Sequence, residues 1–188
     1  MRGGVVTLLA STLAFAASAD AIGFTGAYDP ANFTLTNTNG NGSVNTSGAP
    51  ASIALTGGNN GSDAFGSTTY TALAAAAGTV SFNWSYTTPE TNSFFDPFGF
   101  VVNGTFTQLT IDGLQNETGT ASFSVIAGDT FGFQSNTTDN IVGAPTTTFT
   151  NFSAPVPFEF EATGGFLVVG ALMLTKKMLK KRAEEKLK

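Results

Sequence analysis

The chain has 188 residues, a formal net charge of −5, no Cys and no His. Its eight bases are Arg2 and seven of the last thirteen residues, so positions 20–175 hold eleven acids and no cation. Disulfide scaffolding, thiol and Ser-His nucleophiles, phosphate clamps and nitrogen- or sulfur-ligated zinc therefore lack their residues, and an all-acidic body repels nucleic acid.

In chain order, Arg2 followed by the apolar run 5–17 and by small residues reads as a signal peptide over 1–21. Signal peptidase would cut after Ala19 or Ala21. Short strands are predicted over 33–37 and 52–56, with Asn/Gly/Ser-rich loops over 36–48 and 57–67 and one helical turn over 72–77. The clearest strand is 79–87, where Val80, Phe82, Trp84 and Tyr86 alternate with Ser81, Asn83 and Ser85. Further strands are predicted over 97–102, 105–111, 120–127, 130–135 and 146–152. Asn103-Gly104 suits a two-residue hairpin, and Ala127-Gly128-Asp129 a three-residue one. Two segments echo each other, Asp96-Pro97-Phe98-Gly99-Phe100 and Asp129-Thr130-Phe131-Gly132-Phe133, and read as strands in equivalent core positions.

The expected fold is all-β: an antiparallel, jelly-roll-like β-sandwich over 22–154 with a Phe-rich core, flanked by the signal helix and a C-terminal transmembrane helix. The apolar run 162–175 is fourteen residues long, and extending it back to Val156 gives twenty at the cost of including Glu159 and Glu161. Lys176, Lys177, Lys180, Lys181 and Arg182 follow at once, which places the tail 176–188 on the cytoplasmic side and the body on the other.

Pro157-Phe158-Glu159, a Gly-containing apolar helix and a terminal Lys/Arg cluster together resemble the C-terminal sorting signal of the PEP-CTERM family, in its Pro-Phe-Glu variant frequent in cyanobacterial proteins. Phe158 stands where the main form has Glu. The resemblance implies recognition of Pro157, Phe158 and Glu159 by an exosortase-type membrane protease, loss of the helix, and release or transfer of the body to the cell surface or extracellular matrix. Residues 79–152 are similar to a module of exported bacterial surface proteins, related to CUB-like and carbohydrate-binding sandwiches.

What chemistry remains is that of oxygen. Paired carboxylates among Glu90, Asp96, Asp112, Glu117, Asp129 and Asp139 could serve a glycosidase, given working separation. Calcium, which takes oxygen ligands, has Asp96, Asp129 and Asp139 as candidates. A polysaccharide partner would need an exposed aromatic face, for which Trp84 and Tyr86 are the candidates. The leading expectation is a non-enzymatic, exported and sorted surface or matrix protein, and the alternative is a calcium-assisted carbohydrate-binding module.

Overall fold

The computed structural model describes residues 18–158. The leader up to position 17, Glu159, the apolar helix and the basic tail lie outside the described residues. Among the described residues no helix is long and apolar enough to cross a membrane.

Eleven strands form two antiparallel sheets. They are β1 (Ser18–Ile22), β2 (Thr34–Thr38), β3 (Ser43–Asn45), β4 (Ser52–Thr56), β5 (Gly66–Leu73), β6 (Gly78–Thr87), β7 (Phe98–Val102), β8 (Thr105–Gln108), β9 (Asn116–Val125), β10 (Thr130–Thr137) and β11 (Thr146–Pro157). One sheet has the order β3-β4-β11-β6-β9, with β1 also on β11, and the other β2-β5-β10-β7-β8. From β4 onward every connection except β7–β8 crosses between the sheets, which is the winding of a jelly-roll-like sandwich.

Alternation explains the core. In β6 the inward side chains Val80, Phe82, Trp84 and Tyr86 are buried, while Thr79, Ser81, Asn83, Ser85 and Thr87 form an uncharged outer face. Phe133 of β10 stacks on Phe149 of β11 with centroids 3.9 Å apart and meets Phe82 edge-on at 5.0 Å, joining the two sheets. Phe24 stacks on Phe152 at 4.5 Å and extends this aromatic layer under the N-terminal segment. Edge-to-face and offset contacts of this kind add to the gain from apolar burial alone.

β11 is longer than predicted because its second half pairs with β1, and it carries a bulge. Its register against β6 shifts between Thr150 and Ser153, and Asn151 takes φ of 50°. The extra residue resets the alternation, so Phe149 and Phe152, three apart, both point inward. The first half of β11 pairs with β4 and the second with β1, Ser153 to Pro157 opposite Ile22 to Ser18.

Residues 18–21 are strand in β1, and Val156 and Pro157 are the end of β11, so the sandwich extends beyond 22–154 at both ends. Two expectations need correction. No helical turn occupies 72–77, because Ala72 and Leu73 end β5 and Ala74 is tied to the next loop through Asp129 and Gly128. The turn 126–129 is not a hairpin, since β9 and β10 lie in different sheets. The Asn103-Gly104 hairpin is present: both residues have positive φ, 49° and 79°, and Val102 pairs with Thr105.

The repeated Phe-Gly-Phe segments are hydrogen-bonded neighbours, β7 and β10. A Cβ added at Gly132 would collide with the Tyr70 carbonyl of β5, a backbone group with no freedom to retreat. Gly132→Ala should therefore cost about 1–3 kcal/mol, read from a urea transition, whereas the same change at solvent-facing Gly104 meets no neighbour and strains only its positive φ.

Candidate functional site

The two ends of the sandwich differ in chemistry. At one end Ser18 pairs with Pro157, so both ends of the described chain leave together, beside the tight turns at 103–104 and 126–129. At the other end the segments 39–42, 57–65, 88–97, 109–115 and 138–145 converge. Backbone bonds lace them together: Gly61 donates to Asn140 (2.7 Å), Ala64 to Asp139 (3.1 Å), Thr138 to Phe95 (2.7 Å), Ser93 to Leu114 (2.9 Å) and Thr88 to Gln115 (3.0 Å). The buried Asn140 side chain donates to the carbonyls of Asn39 and Ala64, both at 2.9 Å. These segments thus make one platform rather than independent loops.

The platform exposes apolar side chains on four of its segments. Phe65 and Phe94 are 60% and 53% exposed, and Ile111, Leu114, Ile141 and Val142 are exposed on the segments 109–115 and 138–145. Around them Asn39, Asn41, Asn60, Asp63, Asp112 and Gln115 are also exposed. Phe94 is held edge-on against Phe95 at 5.4 Å, so its ring has a fixed neighbour on one side and solvent on the other.

Beneath the platform lies a layer of buried polar groups. Asp96 is fully buried and Glu90 is 4% exposed. The Thr88 hydroxyl donates to Asp96 Oδ2 at 2.6 Å and accepts from the Glu90 backbone N–H at 3.1 Å, which ties the two acids together. Asp96 Oδ1 and Glu90 Oε1 are buried without a hydrogen-bond partner. Burial, and then the charge of Glu90, push the Asp96 carboxyl up to about 6, against the helping bonds of Thr88 and Thr137. Glu90 is raised as well, by burial first and by Asp139 second. Next to this layer the Tyr86 hydroxyl donates to the Asp96 carbonyl at 2.8 Å, and burial raises its pKa.

Of the residues singled out from sequence, Asp96 and Asp139 come together at this end and Glu90 joins them. Asp129 does not. It precedes β10 while Asp139 follows it, which separates them by roughly 25 Å of strand, and its carboxylate is engaged locally by Asn103 Nδ2 and the Ile126 N–H. Those two bonds lower its pKa. Among the described residues no three acidic side chains converge closely enough to hold a metal ion by themselves. Glu117 accepts from the Ile111 N–H at 2.7 Å, and Asp112 from Gln108 Nε2 at 2.8 Å. As a glycosidase pair the buried acids are badly placed, because Asp96 has no exposed surface with which to meet a sugar.

Trp84 and Tyr86 are core residues, 7% and 2% exposed, and so present no aromatic face. Trp84 packs against Phe98 at 5.7 Å and over Gly119, where a Cβ would strike the indole. The same alternation that identified their strand also turned them inward. The rings that do face solvent here, Phe65 and Phe94, sit outside any alternating run. Their signal was a large apolar residue inside a turn-rich stretch, where no core position accounts for it.

No family model matches the chain, and no curated protein matches it. Solved structures similar to it include a family 35 carbohydrate-binding module from Clostridium thermocellum (14% identity, 72% of this chain and 96% of that one, TM-score 0.37). They also include a point mutant of a family 29 carbohydrate-binding module (10% identity, 75% and 94%, TM-score 0.42) and the family 11 module of the cellulosomal cellulase Lic26A-Cel5E of the same Clostridium (6% identity, 79% and 99%, TM-score 0.41).

Proposed function

We propose that this chain is an exported, non-enzymatic surface or extracellular-matrix protein whose sandwich binds polysaccharide through the platform opposite its chain ends. The observation that carries the reading is the platform itself: exposed Phe65 and Phe94, set among Asn, Gln and Asp side chains on loops that are bonded into one surface. An aromatic ring stacks on the apolar face of a sugar, and carboxamides and carboxylates pair with its hydroxyls. Exposed large apolar side chains gathered at one end of a fold mark an interaction site, and a body without cations disfavours acidic partners.

Sorting completes the proposal. The resemblance of the C-terminal segment makes an exosortase-type protease the processing enzyme, and signal peptidase acts at the other end. Pro157 ends β11 and Phe158 is exposed just beyond it, so the start of the motif emerges from the fold where a protease can reach it.

The test is retention on matrix polysaccharide from the producing cells, compared for the unaltered protein and for Phe65→Ala with Phe94→Ala. Both side chains are exposed, so the melting temperature should stay within about 2 °C, since surface changes alter stability little. Binding should fall at least about tenfold, the equivalent of roughly 1.4 kcal/mol. Equal retention by both proteins would reject the platform as the binding surface.

A further inference from the structure

The acidic layer under the platform carries charge that no side chain among the described residues neutralises. Asp96 and Glu90 are both more than nine-tenths buried, and each aims an oxygen, Oδ1 and Oε1, at no partner. Asp139 adds a third negative charge close enough to act on both. From position 18 to 158 the sequence contains no Lys, Arg or His, so no side chain of the body can supply the positive charge. Buried carboxylates persist only when paired, metal-bound or protonated.

We propose that Asp96 and Glu90 hold a calcium ion beneath the loop platform, with Asp139 contributing field from its rim. The donors are all oxygen: the two orphaned carboxylate oxygens, and near them the hydroxyls of Thr88 and Thr137, which already bond to Asp96 or to its neighbours. An irregular, dehydrated set of oxygens drawn from one loop and the end of β10 suits calcium, which accepts flexible geometry and sheds water readily. Magnesium demands an octahedron and keeps its waters. The ion would tie segment 88–97 to the end of β10, so it would stiffen that part of the platform whatever the platform recognises. Asp129, at the far end of β10, takes no part.

The test uses the full chain in detergent, stripped with EDTA at pH 7.5 and titrated with calcium or magnesium while thermal unfolding is followed. Calcium should raise the midpoint by roughly 5 °C or more at saturation, magnesium should leave it within about 1 °C, and Asp129→Asn should respond like the unaltered protein. Glu90→Gln and Asp96→Asn should each lose the response. If either variant fails to fold, terbium luminescence sensitised through Tyr86 and Trp84 in the unaltered protein, displaced by calcium, reports the same site. A midpoint that ignores calcium yet rises on acidification to pH 5 would overturn the proposal, since a proton would then be the neutralising partner. A calcium response lost in Asp129→Asn and kept in Glu90→Gln would overturn it equally.

Discussion

Replacing Phe133 by Ala should lower the stability of the sandwich by about 4 kcal/mol, a large part of the roughly 5–15 kcal/mol that a domain of this kind has in all. Phe133 is 1% exposed and stands at the point where the sheets meet. It stacks on Phe149, receives Phe82 edge-on, and touches Phe24 and Phe152 at 6.4 and 6.2 Å. Its neighbours belong to β6, β11 and the segment after β1, so no single strand can move in to fill the space. The cavity left behind adds its own cost to the lost transfer energy. With no disulfide in the chain, nothing covalent compensates. A shift of the urea midpoint with an unchanged slope is the expected record, and a loss below about 1 kcal/mol would show that the aromatic layer is not the centre of the core.

The second large effect is on pH. In the presence of a chelator, stability should rise as pH falls from 7 to 4, opposite to the usual acid behaviour of proteins whose carboxylates are salt-bridged. Asp96 has a folded pKa of about 6 against an ordinary value of 3.8. Between those values the native state keeps a proton that the unfolded chain has lost, so stability declines as pH rises through the window. The penalty is complete above about pH 6 and absent below about pH 4. A difference of that size corresponds to about 3 kcal/mol. Glu90 is raised and acts in the same direction, Asp139, Glu117, Asp63 and Asp112 are the other acids at this end, and among the described residues no base faces them. Exposed Asp129, whose pKa is lowered, acts in the opposite sense. Asp96→Asn should flatten most of the dependence by replacing the orphaned oxygen with an amide while leaving an oxygen to accept from Thr88. A profile that falls on acidification and is the same in both proteins would refute the assignment.

How much of this was legible beforehand depended on whether a residue's local pattern and its tertiary role agree. In β6 they do: apolar and hydroxyl side chains alternate without interruption, and the strand lies where the alternation predicts. In β5 they do not, because its inward positions are Gly66, Thr68, Tyr70 and Ala72, a mixture with no apolar period. Thr68 is admitted to the interior by its bond to Asn37, a partner 31 residues away. β1 was hidden because the small residues that a signal peptidase accepts also fit an edge strand, and only its pairing with the end of β11 separates the two roles. Turn chemistry reports that a chain reverses and not which sheet it enters, so 126–129 imitated a hairpin while joining the two layers. For the site, the acids were recognisable by type, but Asp96, Glu90 and Asp139 converge through loops whose closure no periodicity describes. Conversely Asp129, which heads the same kind of Phe-Gly-Phe strand as Asp96, lies at the other end of the fold because β7 and β10 run antiparallel.

The most direct test of the central claim is to follow the backbone amide resonances of isotopically labelled protein while polysaccharide from the producer's matrix is added. The account predicts shifts confined to 57–65, 88–97, 109–115 and 138–145, strongest at Phe65 and Phe94. Shifts centred instead on the uncharged outer face of β6 and β9, or on the turns beside Ser18 and Pro157, would contradict it.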